Sequence, residues 1–306
     1  MVLKYFQHKP FTLLFITHDY TIIHEIYKQY RQFLPFIEFQ ELYRSQNTKS
    51  ALRKFSAEEY LNWEQEITMM VQDQNKKQPI LTMHTSLSVF NKTLQIYKDS
   101  EHEQPVDFTI RSGELTYLKA PSGTGKTTIA KILMGLIPAD KFSAQLGQLT
   151  LTENTIPIVW NKKVWGRYAS MVFQHADESL NAKANIFQTF SGLPLKQKLT
   201  PEKLAALLDP IFNEKVDIKF LNRKVGLLSG GQKQRINIMR SLLLDTPLVI
   251  LDEPLNGLDF TSIKKILNII ENKLNQGTAF LIISHNEDIF DRLTPTQNIF
   301  YLDSKY

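Results

Sequence analysis

The sequence predicts an α/β fold built on a mainly parallel sheet, and three observations carry that prediction. Two continuous apolar runs, Leu248-Val249-Ile250-Leu251 and Ala279-Phe280-Leu281-Ile282-Ile283, read as strands buried on both faces. Ser262 to Asn275 lies between them and has the spacing of an amphipathic helix. A glycine-bearing turn over 120–128 separates a strand pattern, Leu115-Thr116-Tyr117-Leu118, from a helical one, Ile129, Ile132, Leu133, Leu136 and Ile137. Pro138 is expected to stop that helix.

The other elements follow in order. Phe11 to Ile16 is an apolar run too short for a signal core, ending at His18-Asp19, with Leu13 to Ile16 expected as a strand. Ser50 to Val71 reads as helical, and 72–79 as a polar linker. The expected division is therefore an N-terminal segment, 1–79, and a main domain, 80–306. Leu81 to Tyr97 and Val106 to Ala120 hold strands, and residues 139–173 return to strand patterns closing on Met171-Val172-Phe173. Ile186 to Lys224 is mostly helical, with Thr200-Pro201-Glu202 as a helix start, and Gln232 to Leu244 is a further helix.

Composition narrows the chemistry. The 306 residues hold 36 Lys plus Arg against 31 Asp plus Glu, a net charge of +5, with 42% hydrophobic and 22% charged residues. That is an ordinary globular balance, and the interspersed charge gives no ground for expecting nucleic-acid binding. There is no cysteine, which excludes disulfides, thiol catalysis and cysteine-held metals. No stretch reaches the ~18 apolar residues of a membrane span, so any membrane role is expected to be peripheral.

Ala120-Pro121-Ser122-Gly123-Thr124-Gly125-Lys126-Thr127-Thr128 has the pattern of a phosphate-binding loop. Glycines let backbone N–H groups curl around phosphate oxygens, Lys126 neutralises their charge, and Thr127 offers a hydroxyl to Mg²⁺. Ala120 stands where the first glycine is usual. Leu251-Asp252-Glu253 ends a buried strand, where an α/β sheet presents ligands. Asp252 would hold Mg²⁺ and Glu253 would polarise the attacking water. The pair could also be surface acids opening a turn at Pro254. Leu228-Ser229-Gly230-Gly231-Gln232 precedes a helix and offers N–H donors and a hydroxyl to an anion, or a flexible hinge.

The ordered set of phosphate loop, Phe173-Gln174, Leu228 to Gln232, Asp252-Glu253-Pro254, Leu258-Asp259 and Ser284-His285 resembles an ATP-binding cassette (ABC) ATPase domain, over residues 81 to about 303. Leu-Ser-Gly-Gly-Gln is that family's signature. The resemblance implies a P-loop NTPase fold of ABC type, with an antiparallel β subdomain and a helical insert between Gln174 and Ser229. It implies ATP and Mg²⁺ as ligands. Tyr97 matches the aromatic that stacks on adenine, although on its own a tyrosine at a strand end is more often core. Gln174 matches the residue that senses Mg²⁺ and the γ-phosphate, His285 the switch histidine, and Asp259 a loop crossing a dimer interface.

The implied function is ATP hydrolysis driving a membrane transporter. Its implied partners are permease subunits, a second cassette and, indirectly, a solute-binding protein. The implied place is cytoplasmic, peripheral on the inner face of the cell membrane. The run Phe173 to Asn181 resembles importers of peptides and nickel, though both prolines of their pattern are missing, at Ala176 and Ala182. The alternative is a soluble ABC-type ATPase acting on ribosomes or nucleic acid. Such a protein would carry two complete cassettes and a charged linker, whereas residues 24–77 hold eight bases against eight acids. Finally, Leu14, Ile16, His18 and Ile22 stand in the same relation as Leu281, Ile283, His285 and Ile289. The N-terminus thus resembles the tail of a preceding cassette, or is an unrelated strand, turn and helix.

Overall fold

The computed structural model describes residues 12–17, 20–44, 50–70, 78–195 and 197–305. They fall into two compact units, within 1–67 and 68–306.

In the first unit, helix α1 (Thr21–Gln29) precedes an antiparallel hairpin of β1 (Gln40–Arg44) and β2 (Ser50–Lys54), whose register pairs Leu42 with Leu52. Helix α2 (Ala57–Glu66) follows, with the Ser56 hydroxyl accepting from the Glu59 N–H at 3.1 Å. The helix expected from Ser50 is therefore shorter, because the hairpin takes its first residues and Ser56 sets the start. The strand expected over Leu13 to Ile16 does not form. Residues 12–17 have no regular structure, and Leu14 and Ile16 are about four-fifths exposed. A strand needs a neighbouring strand for its backbone N–H and C=O groups, and residues 13–16 join neither sheet nor the hairpin among the described residues. His18 lies outside the described residues.

The second unit opens with β3 (Pro79–Met83), β4 (Ser86–Val89) and β5 (Lys92–Tyr97). Phe90 and Asn91 join the last two, both at positive φ, 51° and 60°, the conformation a two-residue hairpin turn requires. Strands β6 (Phe108–Arg111) and β7 (Leu115–Lys119) lead to helix α3 (Lys126–Leu133). That helix stops before Pro138. Gly135, at φ 64°, turns the chain left-handed, and the Trp160 ring lies 2.3 Å from where a Cβ would stand, so only glycine fits.

Strands β8 (Ser143–Leu146), β9 (Leu149–Thr152) and β10 (Ala169–Val172) come next. Three short helices build the insert: α4 (Ile186–Ser191), α5 (Pro201–Leu208), capped by Thr200, and α6 (Ile218–Leu221). Then come α7 (Gly230–Leu242), β11 (Leu248–Asp252), α8 (Phe260–Asn275), β12 (Ala279–Ile283), α9 (Glu287–Leu293) and β13 (Ile299–Lys305).

Two sheets result. The larger runs β10-β11-β12-β7-β13-β5-β4, its first five strands parallel and β5 and β4 antiparallel. The smaller, β6-β3-β8-β9, is antiparallel throughout. Every residue of β11 and β12 is buried, as their unbroken apolar runs require. One apolar core, including Leu81, Phe108, Ile129, Leu151 and Ile250, spans both sheets.

A chain beginning at Thr68 should therefore unfold in one cooperative transition, as read by calorimetry. A chain beginning at Thr82 discards Pro79 to Leu81, three of the five residues of the strand that joins β6 to β8. Loss of the fully buried Leu81 alone should cost about 2–5 kcal/mol and lower the melting temperature.

Candidate functional site

The sheet order decides where the chemistry gathers. Strands β11, β12 and β7 are parallel neighbours, so the residues following each emerge at the same edge of the sheet. After β7 comes the 120–128 loop, at the end of β11 stand Asp252 and Glu253, and after β12 come Ser284 and His285. A cleft at that edge is lined by Pro121, Ser122, Gly123, Gly125, Lys126, Thr127, Thr128, Gln174, Asp252, Glu253, Ile283 and His285. Gln174 reaches it from β10, on the far side of β11.

The loop is shaped for an anion. Gly125 takes φ 119° immediately before α3, a conformation that L side chains rarely adopt, and this turns the loop into the positive end of the helix. The Lys126 ammonium donates to the backbone oxygens of Ala120 and Pro121. Burial pushes it below the usual lysine value, and Glu253, Glu287 and Asp252 only partly offset that. An incoming phosphate would replace two neutral carbonyls with a full negative charge.

Asp252 is 1% exposed, and neither carboxylate oxygen has a hydrogen-bond partner among the described residues. Burial raises its pKa to about 6, offset in part by the nearby Thr127 hydroxyl, while Glu253 pushes it further up. A buried carboxylate with two unused oxygens beside a threonine hydroxyl is a donor set suited to a hard divalent cation. Thr127, Gln174 and Asp252 are the residues that would hold Mg²⁺, so the residues present fit that ion.

Glu253 is held more firmly. Its backbone takes φ 49°, rare for a residue with a side chain, and its N–H donates to the Ile283 carbonyl at 2.8 Å. Its Oε2 accepts from the Ser284 hydroxyl at 3.1 Å and the His285 N–H at 3.2 Å, and His285 Nε2 lies 3.5 Å from Oε1. The carboxylate is buried, while the His285 ring is about half exposed toward the cleft. Ser284 is fixed in turn by the Tyr117 hydroxyl, which donates to its carbonyl at 2.9 Å. Tyr117 was not legible as a site residue, and its one signal is a hydroxyl inside an apolar strand, where a phenol needs a partner.

Three expected groups lie outside the cleft. Ser229 and Gln232 form a reciprocal cap on α7: the serine hydroxyl accepts from the Gln232 N–H at 3.3 Å, and the glutamine Oε1 accepts from the Ser229 N–H at 2.9 Å. Neither they nor Gly230 and Gly231 line the cleft. Asp259 caps α8 through the Ser262 N–H at 2.8 Å and lies 3.4 Å from the Arg235 guanidinium. Tyr97 requires a correction. It is 1% exposed, it does not line the cleft, and its ring stacks on His102 with centroids 4.7 Å apart, so the ring is buried against the protein's own side chains. Ala120 and Thr124 shape the loop without lining the cleft, Thr124 through its hydroxyl to the Pro121 carbonyl.

Comparison with known proteins agrees with this geometry. The profile of the ABC transporter family matches residues 103–256, half of the chain, from before the phosphate loop through Asp252 and Glu253. A manganese transport system ATP-binding protein of Listeria monocytogenes is 31% identical over 196 residues, 62% of this chain and 76% of the relative. A probable D,D-dipeptide transport ATP-binding protein of Escherichia coli is 29% identical over 211 residues, 67% of this chain and 63% of the relative. Among solved structures, a dimeric ATP-binding cassette in a post-hydrolysis state with ADP and Pi superposes with a TM-score of 0.58. It shares 21% identity and covers 73% of this chain and 94% of its own.

The unpartnered Asp252 carboxylate yields a direct expectation. Asp252→Asn should raise the melting temperature of the ligand-free protein, because it removes a buried charge that has no hydrogen bond. The same variant should lose the extra stabilisation that Mg²⁺ adds to nucleotide, read by melts with nucleotide in Mg²⁺ and in chelator.

Proposed function

The chain belongs to the ABC transporter family as an ATP-binding subunit with its ATPase domain, and from that premise we propose a mechanism, a set of partners and a class of cargo. ATP enters with its phosphates on the 120–128 loop. Backbone N–H groups and Lys126 bind the β and γ oxygens and hold the γ-phosphorus in reach of a water. Thr127, Asp252 and Gln174 would hold Mg²⁺, which when bound would neutralise charge on those phosphates. Glu253 accepts the proton of the attacking water, and the neighbouring His285 bonds the γ-phosphate. The observation that carries this reading is the Glu253 carboxylate. It is buried, aimed by Ser284 and the His285 N–H, and lines one cleft with Lys126.

The signature at Ser229 to Gln232 completes the site of a second cassette, because it caps α7 away from the cleft of its own chain. Two chains enclosing ATP would close, and hydrolysis would open them, a shift that permease subunits read. Among the described residues no helix is long and apolar enough to cross a membrane, so the translocation path belongs to those partners. The proposed place is the cytoplasmic face of the cell membrane. The proposed cargo is a peptide, nickel or a similar small solute taken inward, with a solute-binding protein delivering it. The D,D-dipeptide relative and the Phe173 to Asn181 segment support that class, and the relative named for manganese transport supports a small solute more broadly. Action on ribosomes or nucleic acid is not favoured, since the named relatives are transport subunits.

Two experiments test this reading. Glu253→Gln should retain ATP binding while turnover falls by ~10²–10⁴-fold, the usual worth of a general base. Wild-type turnover in that variant would remove Glu253 from the role. Mixing Ser229→Arg with Lys126→Ala protein should restore part of the ATPase activity that each lacks alone, measured as phosphate release. Full activity of Ser229→Arg by itself would refute the shared site.

A further inference from the structure

We propose that Asn237 is a positioning residue for Gln174, pinning the turn that carries Gln174 to helix α7 so that the glutamine and the signature move as one body. The proposal rests on the reading of Gln174 as a group that acts on Mg²⁺ and the γ-phosphate.

Helix α7 presents a polar stripe to the chain between Met171 and Ser179. Lys233, Asn237, Arg240 and Ser241 are spaced so that they share one face of the helix. Ser241 donates its hydroxyl to the Met171 carbonyl at 3.0 Å, inside β10. The Asn237 Nδ2 donates to the carbonyl of Phe173 at 3.3 Å, one residue before Gln174. Its Oδ1 accepts from the Ser179 hydroxyl at 2.8 Å, five residues after Gln174. Arg240 donates to the Ser179 carbonyl at 3.2 Å, and Lys233 pairs with Asp177 at 2.9 Å. Both ends of the turn thus converge on a single amide.

The partners differ in weight. Asp177 is 70% exposed, and an ion pair so open to water contributes little. Asn237 is 1% exposed, and a buried amide that uses both its donor and its acceptor is costly to remove, because the groups it served lose their partners. On the other side, Lys131 of α3 pairs with Glu178 at 3.1 Å, so the same turn is also tied to the phosphate-loop helix. Asn237 closes this bridge from the signature helix, whose first residues complete the partner's site, to the glutamine in its own cleft.

The test is a double-mutant cycle on the full chain, with kcat and KM for ATP measured in saturating Mg²⁺ and folding checked by thermal melts. Asn237→Ala should lower kcat about 10–100-fold through misplacement of Gln174, with KM changed by no more than about twofold. In a Gln174→Ala background, Asn237→Ala should lower kcat no further, since the group it positions is gone. A damaged Gln174→Ala protein in which Asn237→Ala costs the same factor again would overturn the pin and leave the role of Gln174 standing. Wild-type kcat in Gln174→Ala would overturn both. If Asn237→Ala does not fold, Ser179→Ala, which removes one bond of the pin from the turn side, runs through the same cycle: no further loss of kcat beside Gln174→Ala supports the pin, and the same loss again overturns it.

Discussion

The Glu253 N–H to Ile283 carbonyl hydrogen bond, 2.8 Å long, continues the pairing of β11 with β12 one residue beyond the strand. Much of the site depends on it. It holds Glu253 at positive φ, and from that backbone the side chain reaches the Ser284 hydroxyl and the His285 N–H. A residue in that conformation persists only when its surroundings over-determine it. Here two buried strands and the Tyr117 hydroxyl supply that constraint. The proposed general base, Glu253, and its neighbour His285 are thereby set by one piece of backbone geometry rather than by two independent side-chain choices.

The neighbouring residue shows the opposite arrangement. Asp252 is buried with neither carboxylate oxygen at hydrogen-bond geometry among the described residues and with only the nearby Thr127 hydroxyl to offset burial, so the fold bears most of the cost of its charge. Lys126 is likewise turned onto neutral carbonyls. Both groups are poised for ligands that the chain itself does not provide. Local stability is given up where binding requires an unsatisfied partner, as expected of a site rather than a core.

The signature and the Asp259 loop are organised around helix ends. Ser229 caps α7, Asp259 caps α8, and Arg235 of α7 lies beside Asp259. These residues are rigid within the chain but stand apart from its own cleft. In the proposed mechanism that separation gives a second cassette its place, since the groups assigned to ATP are divided between two surfaces of the chain.

Much of this was legible in the sequence. The phosphate loop, the two buried runs, the cap at Thr200 and the acidic pair closing β11 all follow from patterns a few residues long. Periodicity, capping and glycine placement act through neighbours three or four positions away. What the tertiary structure alone decided involves partners separated by tens of residues. The Glu253 bonds to Ser284 and His285 needed the order β11-β12-β7, and the Asn237 bridge to Phe173 and Ser179 needed α7 to lie along β10. Tyr97 matched an adenine-stacking position by spacing, yet its ring is buried against His102. Leu13 to Ile16 has the composition of a buried strand, but composition confers only the capacity to pair, and a strand forms only where another strand receives it.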